Sequence, residues 1–238
     1  MEEQNCGGKM DYGDLFFRAL MEAIPKVPEV YFKCSNANRE EAGRCFHNPQ
    51  NSPVKKAAFT HGERAFCYEL YHQLRISLNT LQKFAPGYEK LVLHGELQKK
   101  VLLPMTEKHT GLRRLNKEYI PDFLLHVPDT SDKQEVVMEV KTTPKLQFNH
   151  MFADLKKIDE FISKYHYKMG IFLAININGA VLFKKLRKYQ TRLQNIEKLS
   201  QIHVIASEGP DKEVYRVPLL MFSSNPPPFF SDAMNGRD

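Results

Sequence analysis

Two apolar, strand-like runs, YIPDFLLHV (119–127) and EVVMEVKTT (135–143), each carry charge where a folding chain wants core. Side chains alternate across a β-strand, so Ile120, Asp122, Leu124 and His126 share one face of the first run, opposite Tyr119, Phe123, Leu125 and Val127. In the second run Val137, Glu139 and Lys141 share a face, with Val136, Met138 and Val140 opposite. Asp122 therefore points into or beside an apolar surface, and Glu139 and Lys141 are neighbours. An ionised carboxylate is strongly unfavourable in such a place unless it is paired or bound to metal. If the two runs pair through the loop between them, Asp122 and Glu139 converge on one divalent cation with Lys141 close by. Pro121 fits, because it denies the strand one ladder bond, as at an edge, end or bulge that aims the next side chain. Two hard oxygen ligands with open coordination positions suit Mg²⁺ or Mn²⁺. A salt bridge to Lys141 would also satisfy either acid, but buried ion pairs add little net stability. Three charges in apolar strands point to chemistry instead.

The surrounding pattern places these runs in an α/β fold. Phe66, Leu70, Leu74, Leu78 and Leu81 form one helical stripe that should end near Pro86-Gly87. Three strand candidates follow: LVLHGELQKKVLL and the two charged runs. Their short links predict an antiparallel meander. FADLKKIDEFISKY then repeats apolar residues at helical spacing, and KMGIFLAININ reads as a strand covered on both faces and joined by a parallel crossover. GAVLFKKLRKYQTRLQNIEKLS predicts another helix, and QIHVIAS and VYRVPLLMF two more strands.

With 238 residues, 42% of them hydrophobic, the chain can bury a substantial core, and one domain with extensions is the simplest organisation. We expect an N-terminal helix-and-loop extension over 1–59, a domain over 60–222 and a disordered tail over 223–238, where three prolines leave little to bury. No apolar run approaches the ~20 residues of a membrane span, and the start MEEQ lacks the basic and apolar regions of a signal peptide, so a cytoplasmic protein is expected. Cys6, Cys34, Cys45 and Cys67 contain no Cys-x-x-Cys pair. Even with His47 they match no common zinc finger, and reduced thiols are expected.

Pro121-Asp122, an interval of seventeen residues to Glu139, then Glu139-Val140-Lys141 resembles the signature of the PD-(D/E)XK nuclease superfamily, with its restriction-endonuclease-like fold. The resemblance covers roughly 60–178 and implies an αβββαβ core, a mixed central sheet flanked by helices. It also implies that Asp122, Glu139 and the Val140 carbonyl hold one or two metal ions while Lys141 positions or deprotonates water. Members often carry a further acid on the helix before the meander. Around a helix at 100° per residue, Glu63 falls in line with Leu70 and Leu81 and faces the sheet, whereas Glu69 sits to the side. Glu63 is thus the expected metal or catalytic acid, although Thr60-His61-Gly62-Glu63 also reads as a capping box. Glu96, on the strand before the motif, could be another acid at the site but reads at least as well as a solvent-facing strand residue. Asp154, at the edge of its stripe, could orient Lys141 or a neighbour but reads first as a surface position, as do Lys156, Lys157 and Lys164.

Lys plus Arg exceeds Asp plus Glu by 34 to 28, which favours a polyanionic partner. Lys184, Lys185, Arg187, Lys188 and Arg192 crowd one helix around Tyr189, and Arg113, Arg114 and Lys117 precede the Asp122 strand. Either cluster could grip phosphates, or be a solvated face. The expected function is a Mg²⁺- or Mn²⁺-dependent nuclease acting on DNA, with RNA a possible substrate, working as a homodimer or with a partner subunit. The alternative is an inactive copy of the fold that binds nucleic acid or protein.

Overall fold

The meander becomes the left half of a six-stranded mixed sheet in the computed structural model, which describes residues 12–32, 53–82, 89–97, 99, 108, 111–128, 130–131 and 133–223. The strands are β1 (Val92–Gly95), β2 (Phe123–His126), β3 (Gln134–Lys141), β4 (Met169–Ile175), β5 (Ile202–Ser207) and β6 (Val214–Pro218), in spatial order β1-β2-β3-β4-β5-β6. The pairs β1–β2, β2–β3 and β5–β6 are antiparallel, while β3–β4 and β4–β5 are parallel. The helices are α1 (Tyr12–Ala23), α2 (Pro53–Gln82), α3 (Phe148–Tyr165) and α4 (Gly179–Lys188). The molecule is therefore an α/β protein with an open sheet flanked by helices on both faces.

The alternation read from the sequence decides which side chain meets which layer. Phe123, Leu125, Val136, Met138, Val140 and Leu173 pack with Phe16 and Leu20 of α1 and Phe66, Leu70 and Leu74 of α2. On the other face Leu124, Val137, Phe172 and Val204 pack with Met151, Leu155 and Ile158 of α3 and Leu182 and Leu186 of α4. The α1 helix, expected as part of an extension, is thus built into the core. Residues of β4 from Gly170 to Ile175 are buried, as parallel strands covered on both faces require. Gly170 sets the close approach of α3, since a Cβ there would stand 2.1 Å from Ile158 Cγ2.

Four boundaries differ from the expectation. The helix α2 starts at Pro53, so Thr60-Glu63 lies inside it and is no capping box. Within the run expected from Leu91 to Leu103, Glu96 turns to φ 49° and β1 ends at Gly95; among the described residues a single bridge, Lys99 to Tyr119, extends the pairing. The long helix expected from Gly179 ends at Lys188, with a separate turn at Gln190–Leu193. VYRVPLLMF bends at Pro218 into a 3₁₀ turn, Leu219–Phe222. The polar stretch after Phe32, the tail beyond Ser223, and Cys6, Cys34, Cys45 and His47 lie outside the described residues. Among the described residues no helix is long and apolar enough to cross a membrane.

Candidate active site

Because β2 runs antiparallel to β3 with Phe123 opposite Met138, the start of β2 lies beside the end of β3, and Asp122 comes next to Glu139. Asp122 sits in the bend that follows Pro121, and its carbonyl accepts the Glu96 N–H at 3.0 Å. Its carboxylate accepts the Val140 N–H at 2.6 Å through Oδ2, so the backbone ties the bend to the end of β1 and the side chain ties it to β3. Burial pushes the Asp122 pKa up to about 6, against the pull of Lys141 and the Val140 N–H.

Glu139 is the most enclosed of the set. Burial, then Asp122, raise its pKa well above the carboxylate range. Its Oε2 lies 2.5 Å from Lys157 Nζ, but its Oε1 is buried and accepts no hydrogen bond. Lys141, at the rim, stands 3.3 Å from Glu63 Oε1 and 3.6 Å from Asp154 Oδ2, and its Nζ donates to the Val140 carbonyl at 3.1 Å. Burial works against its charge, yet Asp154, Glu63, Asp122 and Glu139 together hold its pKa above the ordinary lysine range. Lys141 is therefore an ammonium at any ordinary pH.

Glu63, Asp122, Glu96, Ile120, Thr142 and His150 line one open cleft of about 640 Å³. The structure thus gathers Asp122, Glu139, Val140, Lys141 and Glu63. Glu69 stands elsewhere on α2, where it accepts from Gln73 Nε2 at 2.7 Å. Glu96 lines the cleft and pairs with Arg64 at 3.3 Å, so it is not simply solvent-facing. Cys67 also lines the cleft, and burial, with Asp122 and Glu63 nearby, pushes its thiol well up.

Sequence reasoning reached only part of the contribution of α3, offering Asp154 as the second choice for orienting Lys141 and missing Lys157. Asp154 and Lys157, expected on the surface, are mostly enclosed at 16% side-chain exposure each and hold Lys141 and Glu139. Lys157 Nζ also reaches the Ile120 carbonyl at 3.3 Å, tying down the approach to Asp122. Lys164, also expected on the surface, is mostly enclosed and pairs with Glu160 at 3.0 Å; Lys156 is exposed as expected. His150, Asp154 and Lys157 recur at steps of four and three, one residue ahead of the buried Met151, Leu155 and Ile158. That flanking stripe was the available signal.

The basic clusters separate. Arg113 donates from Nη2 to the Ser163 carbonyl at 2.8 Å, which puts it and exposed Arg114 at the far end of α3, about 20 Å along the helix from His150. Lys117 lies over the Tyr119 ring. Lys185 donates to the Leu146 carbonyl and Arg192 to Asn149 Oδ1 at 2.8 Å, so the α4 cluster, with exposed Lys184, Arg187 and Lys188, abuts the cleft end of α3.

The donor set is compatible with a hard divalent cation: two carboxylates, one with an unused buried oxygen, a third carboxylate on α2 and a backbone carbonyl. Among the described residues no three His, Cys, Asp or Glu side chains are already gathered into a metal cage. An ion here would keep several waters or substrate oxygens, as Mg²⁺ does. Comparison with protein-family models, curated proteins and solved structures found no match.

Proposed function

We propose that the protein is a Mg²⁺- or Mn²⁺-dependent nuclease that hydrolyses phosphodiester bonds of DNA, built on the restriction-endonuclease-like fold. The order α2-β1-β2-β3-α3-β4 and the position of Asp122, Glu139 and Lys141 on adjoining strand ends support the fold assignment. The observation that carries the function is Glu139. It is a fully buried carboxylate with one oxygen left without a partner, beside a second raised carboxylate and a permanent ammonium. Asp122 lines the cleft with Glu139 buried directly behind it, and strongly perturbed acids at a cleft wall mark a candidate functional site.

In this reading Asp122, Glu139, Glu63 and the Val140 carbonyl hold the cation, which neutralises phosphate charge and lowers the pKa of water. Lys141, locked as an ammonium by Glu63 and Asp154, stabilises the charge that builds on the phosphate in the transition state. It places a water rather than deprotonating it, because its proton is held too tightly. Asp122 ties the site together by fixing β3 through the Val140 N–H. Lys157 aims Glu139 and supports the Ile120–Asp122 bend.

One observation favours the inactive alternative: Lys157 already neutralises one Glu139 oxygen from within the protein. The deciding experiment incubates purified protein with linear, circular and single-stranded DNA, and with RNA, in Mg²⁺, Mn²⁺ or EDTA, beside Asp122→Ala and Lys141→Ala. Cleavage that needs the metal and vanishes in both variants is expected. Cleavage that survives both substitutions rejects the site, and binding without cleavage in any metal selects the inactive reading.

A further inference from the structure

A second concavity, of about 560 Å³, lies against the cleft; its walls are the 145–149 segment, Lys185 and Tyr189. The chain from Thr142 to His150 lines both spaces, Thr142, Thr143 and His150 facing the cleft and Lys145 to Asn149 the groove. Its volume suits a nucleotide-sized ligand.

The charge of this region is one-sided. No Asp or Glu occurs in 142–153 or in 161–196. Among the described residues Lys145, Lys184, Lys185, Lys188 and Arg192 enter no ion pair with an acid. Lys145 and Lys185 line the groove itself, and Arg192 reaches Asn149 of its wall. Arg113 and Arg114, by contrast, lie at the other end of α3.

Aromatic rings supply the second half of the chemistry. Tyr189 stacks on buried Phe148 with ring centres 3.9 Å apart and planes 18° from parallel. Phe148 stacks in turn on Phe152 at 5.7 Å, and the Arg192 guanidinium lies 5.0 Å from the Phe148 centre and 4.7 Å from that of Phe152. Tyr189 is therefore held in place before any ligand arrives. A fixed aromatic ring among ammonium groups is how proteins grip single strands: bases stack on the ring and phosphates meet the cations. Paired bases have no free face to offer, so the stack selects an unpaired segment.

We propose that the groove bounded by 145–149, Lys185 and Tyr189 is a binding subsite for single-stranded nucleic acid, receiving the nucleotides next to the scissile phosphate. Its place in the reaction rests on the nuclease reading of the adjoining cleft; its binding does not.

The test measures fluorescence anisotropy of labelled single-stranded and duplex oligonucleotides of roughly 15 nucleotides with the full chain in EDTA, where binding is read without cleavage. Lys145→Glu combined with Lys188→Glu should weaken single-strand binding about tenfold or more and flatten its salt dependence by about two counterions. Lys212→Glu, an equal charge change on an exposed residue outside the groove, should shift it less than about twofold. Tyr189→Leu should cost about tenfold on the single strand and less than about twofold on the duplex. Circular dichroism confirms each variant is folded, and the exposed lysine pair decides if Tyr189→Leu is not. Unchanged affinity in the lysine pair, or equal losses on strand and duplex in Tyr189→Leu, overturns the subsite. If those binding results hold while the wild type cleaves nothing in Mg²⁺ or Mn²⁺, the nuclease reading falls and the subsite stands.

Discussion

Glu139 and Glu160 are both acids enclosed near α3, and the chain treats them in opposite ways. Glu160 accepts from the Asn116 backbone N–H, from Asn116 Nδ2 at 3.0 Å, from Tyr119 Oη at 2.8 Å and from Lys164 Nζ at 3.0 Å. Burial alone would raise its pKa, yet the donors from Asn116, Lys164 and Tyr119 outweigh that and hold it below the ordinary range. Glu139 has one lysine and one oxygen with nothing, and its pKa is pushed up. A carboxylate that serves structure has its lone pairs filled by the protein; one left half-filled in a core costs stability and calls for a reason, of which a bound cation is one. The contrast also explains why charge in a strand says little by itself: Glu135 is buried on β3 too, but Lys168 meets it at 2.8 Å.

The largest test of this contrast is activity. Asp122→Asn or Lys141→Ala should lower cleavage by about 10³-fold or more, the scale of losing a charge-stabilising group in a transition state. Glu160→Gln should change it by less than about threefold. Rates on one DNA substrate under saturating Mg²⁺ make the measurement, and comparable losses for the two acids would abolish the distinction.

Stability should move the other way. Glu160→Ala leaves Lys164, the Tyr119 hydroxyl and the Asn116 amide without their acceptor, and should cost about 3 kcal/mol in a denaturant titration. Much of what makes Glu160 structural was invisible in the sequence. Its partners Asn116 and Tyr119 are 44 and 41 residues away, in a segment with no regular period. By contrast, Asp122, Glu139 and Lys141 were legible because strand alternation is local and two-fold, and Glu63 because a four-residue apolar stripe fixes which side of α2 meets the sheet. On α3 the same reasoning stopped short. Met151, Leu155 and Ile158 define the buried face, but a stripe has two flanks, and periodicity alone does not tell the flank of His150, Asp154 and Lys157 from the one in solvent. The contacts of Asp154 with Lys141 and of Lys157 with Glu139 and the Ile120 carbonyl decide it. The early end of β1 was equally hidden, since the left-handed turn at Glu96 falls on a residue type that gives no turn signal.

A smaller effect separates the two acids by pH. Asp122 has a folded pKa of about 6 against about 3.8 in the open chain, so the folded state binds its proton more tightly. Its contribution to stability is fully present below pH ~4 and is lost as pH rises through ~6. Glu160, with its depressed pKa, contributes above the normal carboxylate range and loses that contribution as pH falls through its own folded value. Asp122→Asn keeps an oxygen for the Val140 N–H and removes the charge. Without divalent ions it should therefore stabilise the protein by about 1–2 kcal/mol at pH ~7 and by almost nothing at pH ~4. Thermal melts in EDTA across that range measure it; a stability change independent of pH would mean that the Asp122 carboxyl ionises alike in the folded and open chains.

The smallest effect asks whether the two lysines play the same part. Lys164 is one of several donors in a closed network, whereas Lys157 is, among the described residues, the one cation in ion-pair contact with Glu139, at the oxygen beside the unused one. If Lys157 stands where an incoming cation partly compensates the same carboxylate, ammonium and metal compete electrostatically. Lys157→Met keeps most of the stem's packing and removes that competitor. Mg²⁺ should then bind about threefold more tightly, a gain of roughly 0.7 kcal/mol, consistent with one like charge removed at short range in a partly solvated site. The metal-free form should melt lower, because Glu139 loses its nearest counter-charge. Both are read from melting temperature against Mg²⁺ concentration, since an ion that binds only the folded state raises it by mass action. Lys164→Met should lower the melting temperature too, but leave its dependence on Mg²⁺ unchanged. If the two lysine variants shift that dependence equally, Glu139 is held as permanently as Glu160, and the site is closed to a cation.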